Sequence, residues 1–298
     1  MSLLDTLTYG MEIECLVPLY KVSYEDEGNT INCDGKPWDI GEDGSIHCDD
    51  GTWGMEFRSP ILRTSDGLNS IVEACNWLST KGTYVNSSCG FHVHIGWPRY
   101  RTDDELRRLV WLVANLEDGL WATTGSVQRR LNPEYCHSVK ERNWYRKWAH
   151  DKIFNDVCYD FSTRYSTLNL SNLIEDYRNT VEFRLFAGTV NPIKILGHVQ
   201  CCLGLVEKAI SIPKTAPWDL AKIDEKRRKK GYFLREYHRL MSQLGWNEGS
   251  AQRFGLFENG PVPILKIKTI LRKLARKFDN VWFQHESYNA SHSFKERK

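Results

Sequence analysis

Apolar and polar residues alternate in several short runs of this chain, and apolar residues recur every three to four positions in longer ones. The first alternating run, Tyr9-Gly10-Met11-Glu12-Ile13-Glu14, lies in a strand expected over 7–17. A strand sends successive side chains to opposite faces, so Met11, Ile13 and Cys15 share one face and Glu12 and Glu14 the other. The same alternation predicts strands over 53–58, 90–96, 164–170 and 180–186. Ser59-Pro60 ends the first of these, and Gly90 and Gly96 read as turn residues bracketing the second. Helical spacing predicts helices over 67–79, over 103–120, and from Pro192 onward through Ile195, Leu196, Val199, Leu203, Val206 and Ile210. Thr102 or Asp103 would cap the second helix, and Asn191 before Pro192 opens the third. Residues 20–55 read as loops or short hairpins, and 121–160 carry no clean period. Pro213 to Pro217 reads as a boundary between a body, 1–212, and an extension, 213–298, packing on or beside it. In the extension, helices are expected near 232–244 and over 264–278, and the last dozen residues are expected to fray.

Composition adds little to this pattern, but charge adds a division. The chain has 298 residues, 41% hydrophobic and 26% charged, ordinary for a soluble globular protein. Nine scattered cysteines point to reduced thiols and show no zinc-site spacing. Residues 1–5 resemble no secretory leader, and no apolar run approaches the roughly 18 residues that cross a bilayer. A cytoplasmic chain without a membrane partner is therefore expected. Residues 222–298 hold 18 Lys and Arg against 8 Asp and Glu, leaving the first 221 residues at −8.

The strand-like runs share an oddity. Each commits one face to the core and spends charges on the other: Glu12 and Glu14; Glu56 and Arg58; His92 and His94; Arg164; Glu182 and Arg184. A single such charge ordinarily faces solvent, and a His-x-His pair is more often a polar strand face than a ligand set. Together on one sheet, these carboxylates would repel one another unless cations neutralised them. Hard cations such as Mg²⁺ prefer carboxylate oxygens, and Arg grips phosphate and carboxylate in a planar fork. The combination points to metal-assisted phosphoryl chemistry.

The ordered series Gly-x-Glu-x-Glu (10–14), Asp-Gly-Ser (43–45), Glu-Phe-Arg-Ser-Pro (56–60), Gly-Phe-His-Val-His-Ile-Gly (90–96), Arg-Tyr…Leu-Asn (164–169) and Val-Glu-Phe-Arg (181–184) resembles the amidoligase family. That family stands with the glutamine synthetase and glutamate–cysteine ligase superfamily of carboxylate–amine ligases. The resemblance covers roughly 8–190 and implies an α+β fold like the glutamine synthetase catalytic domain: a curved, mainly antiparallel sheet with helices on its convex side. It implies ATP and Mg²⁺ (or Mn²⁺) as cofactors. The implied reaction makes an acyl phosphate from a small-molecule or peptide carboxylate, and an amine then attacks to leave an amide. By motif, Glu12, Glu14, Glu56, His92 and Glu182 are implied as metal ligands, and His94 as facing nucleotide. Arg184 and Arg164 would hold phosphate or substrate carboxylate. Asp43 and Ser45 are placed on the nucleotide side, although a plain turn fits them nearly as well. Arg58, Ser59 and Asn169 are implied as substrate contacts.

Two other readings stand beside this one. One is a protein that binds metal and nucleotide without catalysis. The other is a metal-dependent hydrolase using the His pair, although three carboxylates and a separated pair suit Mg²⁺ better than tetrahedral zinc. The basic segment, with Lys226 to Lys230 and the helix over 264–278, lies outside the motifs. Nucleic-acid binding there is possible in principle, but a solvated helix face accounts for it more simply.

Overall fold

The computed structural model describes residues 6–21, 30–63, 65–98, 101–131, 136–140, 164–173, 179–212, 229–246 and 260–293. The expected boundary at 213–217, the basic residues 226–228 and most of 132–163 lie outside the described residues.

Eight strands form one open sheet. They are β1 (Thr8–Pro18), β2 (Thr30–Cys33), β3 (Lys36–Glu42), β4 (Thr52–Arg58), β5 (Leu62–Arg63), β6 (Gly90–Gly96), β7 (Leu168–Asn169) and β8 (Thr180–Ala187). The order is β2-β3-β4-β1-β6-β8-β7, with β5 pairing the start of β1. Every pairing between these strands is antiparallel. The expected antiparallel α+β architecture is present, and residues 20–55 supply the β2–β3 hairpin and the start of β4.

The helices pack on the apolar face. Phe57 meets Trp77 of α1 (Asp66–Thr80) with ring centroids 5.5 Å apart. Phe186 stacks on His198 of α4 (Pro192–Ser211) at 4.2 Å. Trp38 on β3 donates through Nε1 to Ser70 of α1 at 2.8 Å, docking the hairpin. The long α2 (Asp103–Thr124) begins with a capping box in which Thr102 and Glu105 satisfy each other's backbone N–H. It ends at Gly125, whose φ of 68° is left-handed. A short α3 (Gln128–Leu131) follows. Asn191 caps α4 through hydrogen bonds accepted from the Ile193 and Lys194 N–H groups.

The C-terminal helices continue this layer. α5 (Tyr232–Gln243) and α6 (Ile264–Ser293) pack on α2, and α6 also meets α4. Ile267, Leu271, Ala275, Phe278 and Trp282 bury one stripe of α6, leaving Lys266, Arg272, Lys273, Arg276 and Lys277 outward. The helix runs fifteen residues past the expected end at 278, to Ser293. Trp282 carries the stripe onward by packing on Phe233 and Phe278. Among the described residues, no helix is long and apolar enough to cross a membrane, and the described cysteines are free.

Two strand expectations are corrected. The run 164–170 is a strand only at Leu168–Asn169. There Asn169 Oδ1 accepts from the Ser171 N–H and hydroxyl at 2.9 and 2.8 Å, bending the chain into a 3₁₀ turn. Gly90 and Gly96 are strand residues rather than turns. A Cβ at Gly90 would lie 2.4 Å from Arg129 Nη2, and one at Gly96 would lie 2.0 Å from Thr8 Oγ1. They are glycines because other groups approach the strand closely.

Candidate active site

Strand pairing assembles the site. On the polar face, Glu12 of β1 stands opposite Arg58 of β4 on one side and His92 of β6 on the other. Glu14 stands opposite Glu56, His94 opposite Glu182, and Glu182 opposite Asn169. Between Phe91 and Val93 the β6–β8 register shifts, so Arg184 and Leu185 together oppose His92. This bulge turns Phe186 back toward the helices while Arg184 stays on the polar side, the re-aiming that bulges commonly perform beside functional sites.

The resulting contacts are dense. His92 Nδ1 lies 2.9 Å from Glu12 Oε2 and 3.7 Å from Glu182 Oε1, and its Nε2 lies 3.4 Å from Glu14 Oε1. His94 Nε2 lies 3.1 Å from Glu12 Oε1 and 3.9 Å from Glu182 Oε1. Asn169 donates to Glu182 Oε2 at 2.7 Å, and Arg184 Nη1 pairs with Glu182 Oε1. Glu14 accepts from the Gly90 N–H.

The electrostatics divide the carboxylates. Burial would raise Glu12, but the hydrogen bond with His92 and the close His94 imidazole hold it well below the usual carboxylate range. Glu182 is likewise lowered, with burial opposed by His94, Arg184 and His92. The same pairings hold the His94 imidazolium above its ordinary range against its own burial. Glu56 goes the other way, pushed up to about 7 by burial and by the neighbouring Glu12, with Arg58 pulling against them.

This arrangement fits divalent cations. Glu12, Glu56 and His92 offer ligand atoms within 4.8 Å of one another, as do Glu12, His94 and Glu182, and Glu14, Asp43 and Glu56. The His94 Nε2 atom is buried and lacks a hydrogen bond of good geometry, although Glu12 is close by. A nitrogen and a carboxylate oxygen this close, with Glu182 beside them, can share a cation, and the oxygen-rich set is that of a hard ion.

Two cavities open from this cluster. One, about 460 Å³, is lined by Glu12, Glu14, Asp43, Ser45, Glu56, Arg58, His92, Arg164, Asn169, Glu182 and Arg184. The other, about 650 Å³, has Leu7, Tyr9, Ile61, Trp97 and Pro98 in its walls, with Glu12, Arg58, Ser59 and His94. Glu12 and Arg58 border both. The residues named for nucleotide therefore fall in two places, with His94 in the larger cavity and Arg164, Asp43 and Ser45 in the smaller. The substrate candidates also separate, with Ser59 in the larger and Asn169 in the smaller. The Ser59 hydroxyl is already engaged, accepting from the Met11 N–H and donating to the Pro60 carbonyl. Asp43 Oδ1 accepts from the Ser45 N–H at 2.8 Å, so a turn and a place in the acidic group coexist. Arg164 is exposed at the rim, its guanidinium 5.2 Å over the Tyr165 ring.

Polar lining residues outside the sequence reading include Arg129, Glu42 and Asn172. Asn172 follows the Asn169 turn and lies 3.5 Å from Glu182 Oε2. Arg129 comes from α3, a single helical turn in a stretch without period, and nothing local marks it.

The model of a family described as "Putative amidoligase enzyme" matches residues 8–206. No curated protein matches the sequence. Among solved structures, the chain is similar to GmaS without ligand at 14% identity and a TM-score of 0.43, over 94% of this chain and 69% of that one. It is similar to the ligase PafA, solved in complex with the prokaryotic ubiquitin-like protein Pup, at 13% identity and a TM-score of 0.40. That match covers 96% of this chain and 65% of PafA.

Proposed function

The chain belongs to the amidoligase family, and on that premise we propose that it is an ATP-dependent carboxylate–amine ligase working through an acyl phosphate. One observation carries the reading: two cavities of different character meet at a single carboxylate–imidazole cluster, with Glu12 and Arg58 in both walls. A ligase of this kind must bring a nucleotide and an acid to one point from separate sites.

The larger cavity suits the nucleotide. Leu7, Tyr9, Trp97 and Pro98 offer apolar surface for a base, and its volume lies in the usual range for small-ligand sites. His94 and Arg58 stand where that cavity reaches the cluster, in position for phosphates. The smaller cavity, walled by charges and amides, suits the acid and the amine, which places Arg164, Asp43, Ser45 and Asn169 on that side.

Glu12, Glu14, Glu56, His92 and Glu182 would hold Mg²⁺ or Mn²⁺. The ions, when bound, neutralise phosphate charge and polarise the transferred group. Asn169 and Arg184 hold the Glu182 carboxylate from two sides, fixing its orientation. An oxygen of the acid attacks the terminal phosphorus of ATP, forming an O–P bond as the bond to ADP breaks. The amine nitrogen then forms the C–N bond, phosphate leaves with its bonding pair, and the amine's proton passes to solvent.

Incubation with Mg·ATP and pooled carboxylic acids and amines tests this. ADP and phosphate should appear only when both an acid and an amine are present, with a condensed product visible by mass spectrometry. Mg·ATP binding with no release from any pool would reject the activity.

A further inference from the structure

Arg129 is 6% exposed and lines the smaller cavity. A buried guanidinium is costly unless paired, and ordinarily faces a carboxylate or several carbonyls. Arg129 has neither. Among the described residues its one hydrogen bond is between Nη2 and the ring nitrogen His92 Nε2, at 3.2 Å. Its Nε has no partner, and no carboxylate oxygen lies within 4 Å of it among the described residues. The contrast within the same cavity is sharp: Arg184 is paired with Glu182, and Arg58 lies 3.3 Å from Glu56.

The placement is built into the fold. Arg129 packs where a side chain at position 90 would be, with its Cζ only 2.8 Å from a Cβ at Gly90. Gly90 donates its N–H to Glu14, so the guanidinium is held beside the carboxylate cluster without being neutralised by it. A planar cation with a single weak acceptor exchanges that contact readily for an oxyanion it can grip with two N–H groups.

We infer that Arg129 contacts the reacting oxyanion of the acid substrate, first as the carboxylate and then as the phosphate it carries after transfer. This rests on the ligase reading above, and it makes Arg129 a catalytic residue that no motif identified.

Calorimetric titration of the full-length protein with inorganic phosphate, in the presence of Mg²⁺ and ADP, tests the inference, with succinate as a separate carboxylate arm. Phosphate should bind the wild type. Arg129→Gln should weaken that binding about tenfold or more, as loss of a charge-assisted bidentate contact predicts. Arg129→Lys, which keeps the charge without the fork, should weaken it less and keeps the test readable if the Gln variant does not fold. Mg·ADP affinity should change less than phosphate affinity in both variants, since of the two cavities Arg129 borders the smaller and reaches the metal group only through His92. Succinate binding that is also Arg129-dependent assigns the residue to the carboxylate before transfer, whereas phosphate dependence alone assigns it to the stage after transfer. Equal phosphate binding by wild type and Arg129→Gln, or none by the wild type, overturns the inference and leaves the ligase reading standing if Mg·ADP still binds. Failure of Mg·ADP to bind, with phosphate still Arg129-dependent, instead overturns the ligase reading and keeps the anion site.

Discussion

Buried carboxylates occur in two regions of this molecule, and the fold treats them differently. In the helix layer, Glu117 accepts from the Ser138 hydroxyl and the Val139 N–H, with Lys140 close by. Asp118 pairs with Lys140 at 3.3 Å and accepts from the Tyr232 hydroxyl at 2.8 Å. Asp279 of α6 accepts from the Gly231, Phe233 and Leu234 N–H groups, serving the start of α5 from a neighbouring helix. Each of these acids has donors supplied by the chain. On the polar face of the sheet, Glu12, Glu14, Glu56 and Glu182 share two imidazoles, Arg58 and Arg184, and burial together with the neighbouring Glu12 raises Glu56 to about 7. Acids that hold a fold together are satisfied within it. Acids that serve a ligand are crowded against one another around a shared set of imidazoles and guanidiniums.

This contrast can be broken at either end. The largest effect is expected at Glu182, which borders both histidines, Asn169 and Arg184. Glu182→Ala should cut ATP-dependent ligation by about 1,000-fold or more, with far-ultraviolet circular dichroism unchanged. Full activity in that variant would remove the site from the sheet. The converse variant is Asp279→Ala. It leaves three N–H groups at the start of α5 without their acceptor and should cost about 2–4 kcal/mol of stability in urea unfolding. Its Mg²⁺ affinity should match wild type, and a weakened affinity would mean that the two regions are coupled.

The smaller effect concerns pH. The Glu56 carboxyl is protonated more readily in the folded protein than in the unfolded chain, so metal-free folding loses stability as pH rises from about 4.5 to about 7. A cation bound at Glu56 must displace that proton. Mg²⁺ affinity should therefore tighten about tenfold between pH 6 and 8, as calorimetry at fixed ionic strength would show. Glu56→Gln should flatten the profile, weaken Mg²⁺, and raise the melting temperature of the metal-free protein at pH 8. A flat profile in the wild type would place Glu56 among the satisfied acids instead.

Much of the site was legible because strand geometry is local. The period of two puts Glu12 with Glu14, His92 with His94, and Glu182 with Arg184 wherever those strands lie. Each helix expected in the body appeared, with Thr102 and Asn191 at their caps, because capping depends on a few adjacent residues. Errors arose where a particular side-chain contact, near or distant, decided the outcome. The run at 164–170 looked like a full strand, but the Asn169 side chain closed a turn within it. Gly90 looked like punctuation and is a berth for Arg129. The last helix was expected to end at 278, but Trp282 packs on Phe233 of α5 and the helix runs on to Ser293.

The sequence by itself determined which side chains share a strand face and which segments coil into helices, since both follow from backbone periods spanning only a few residues. Only the tertiary structure decided that β4, β1, β6 and β8 lie side by side in registers that set Glu12 between Arg58 and His92, and His94 against Glu182. It also decided that Arg129 enters from a helical turn between strands, and that one cluster faces two cavities. These depend on hydrogen-bonded pairing and close packing between residues far apart in the chain, such as Glu12 and His92 at 80 positions and His94 and Glu182 at 88. No local pattern encodes a distance of that kind.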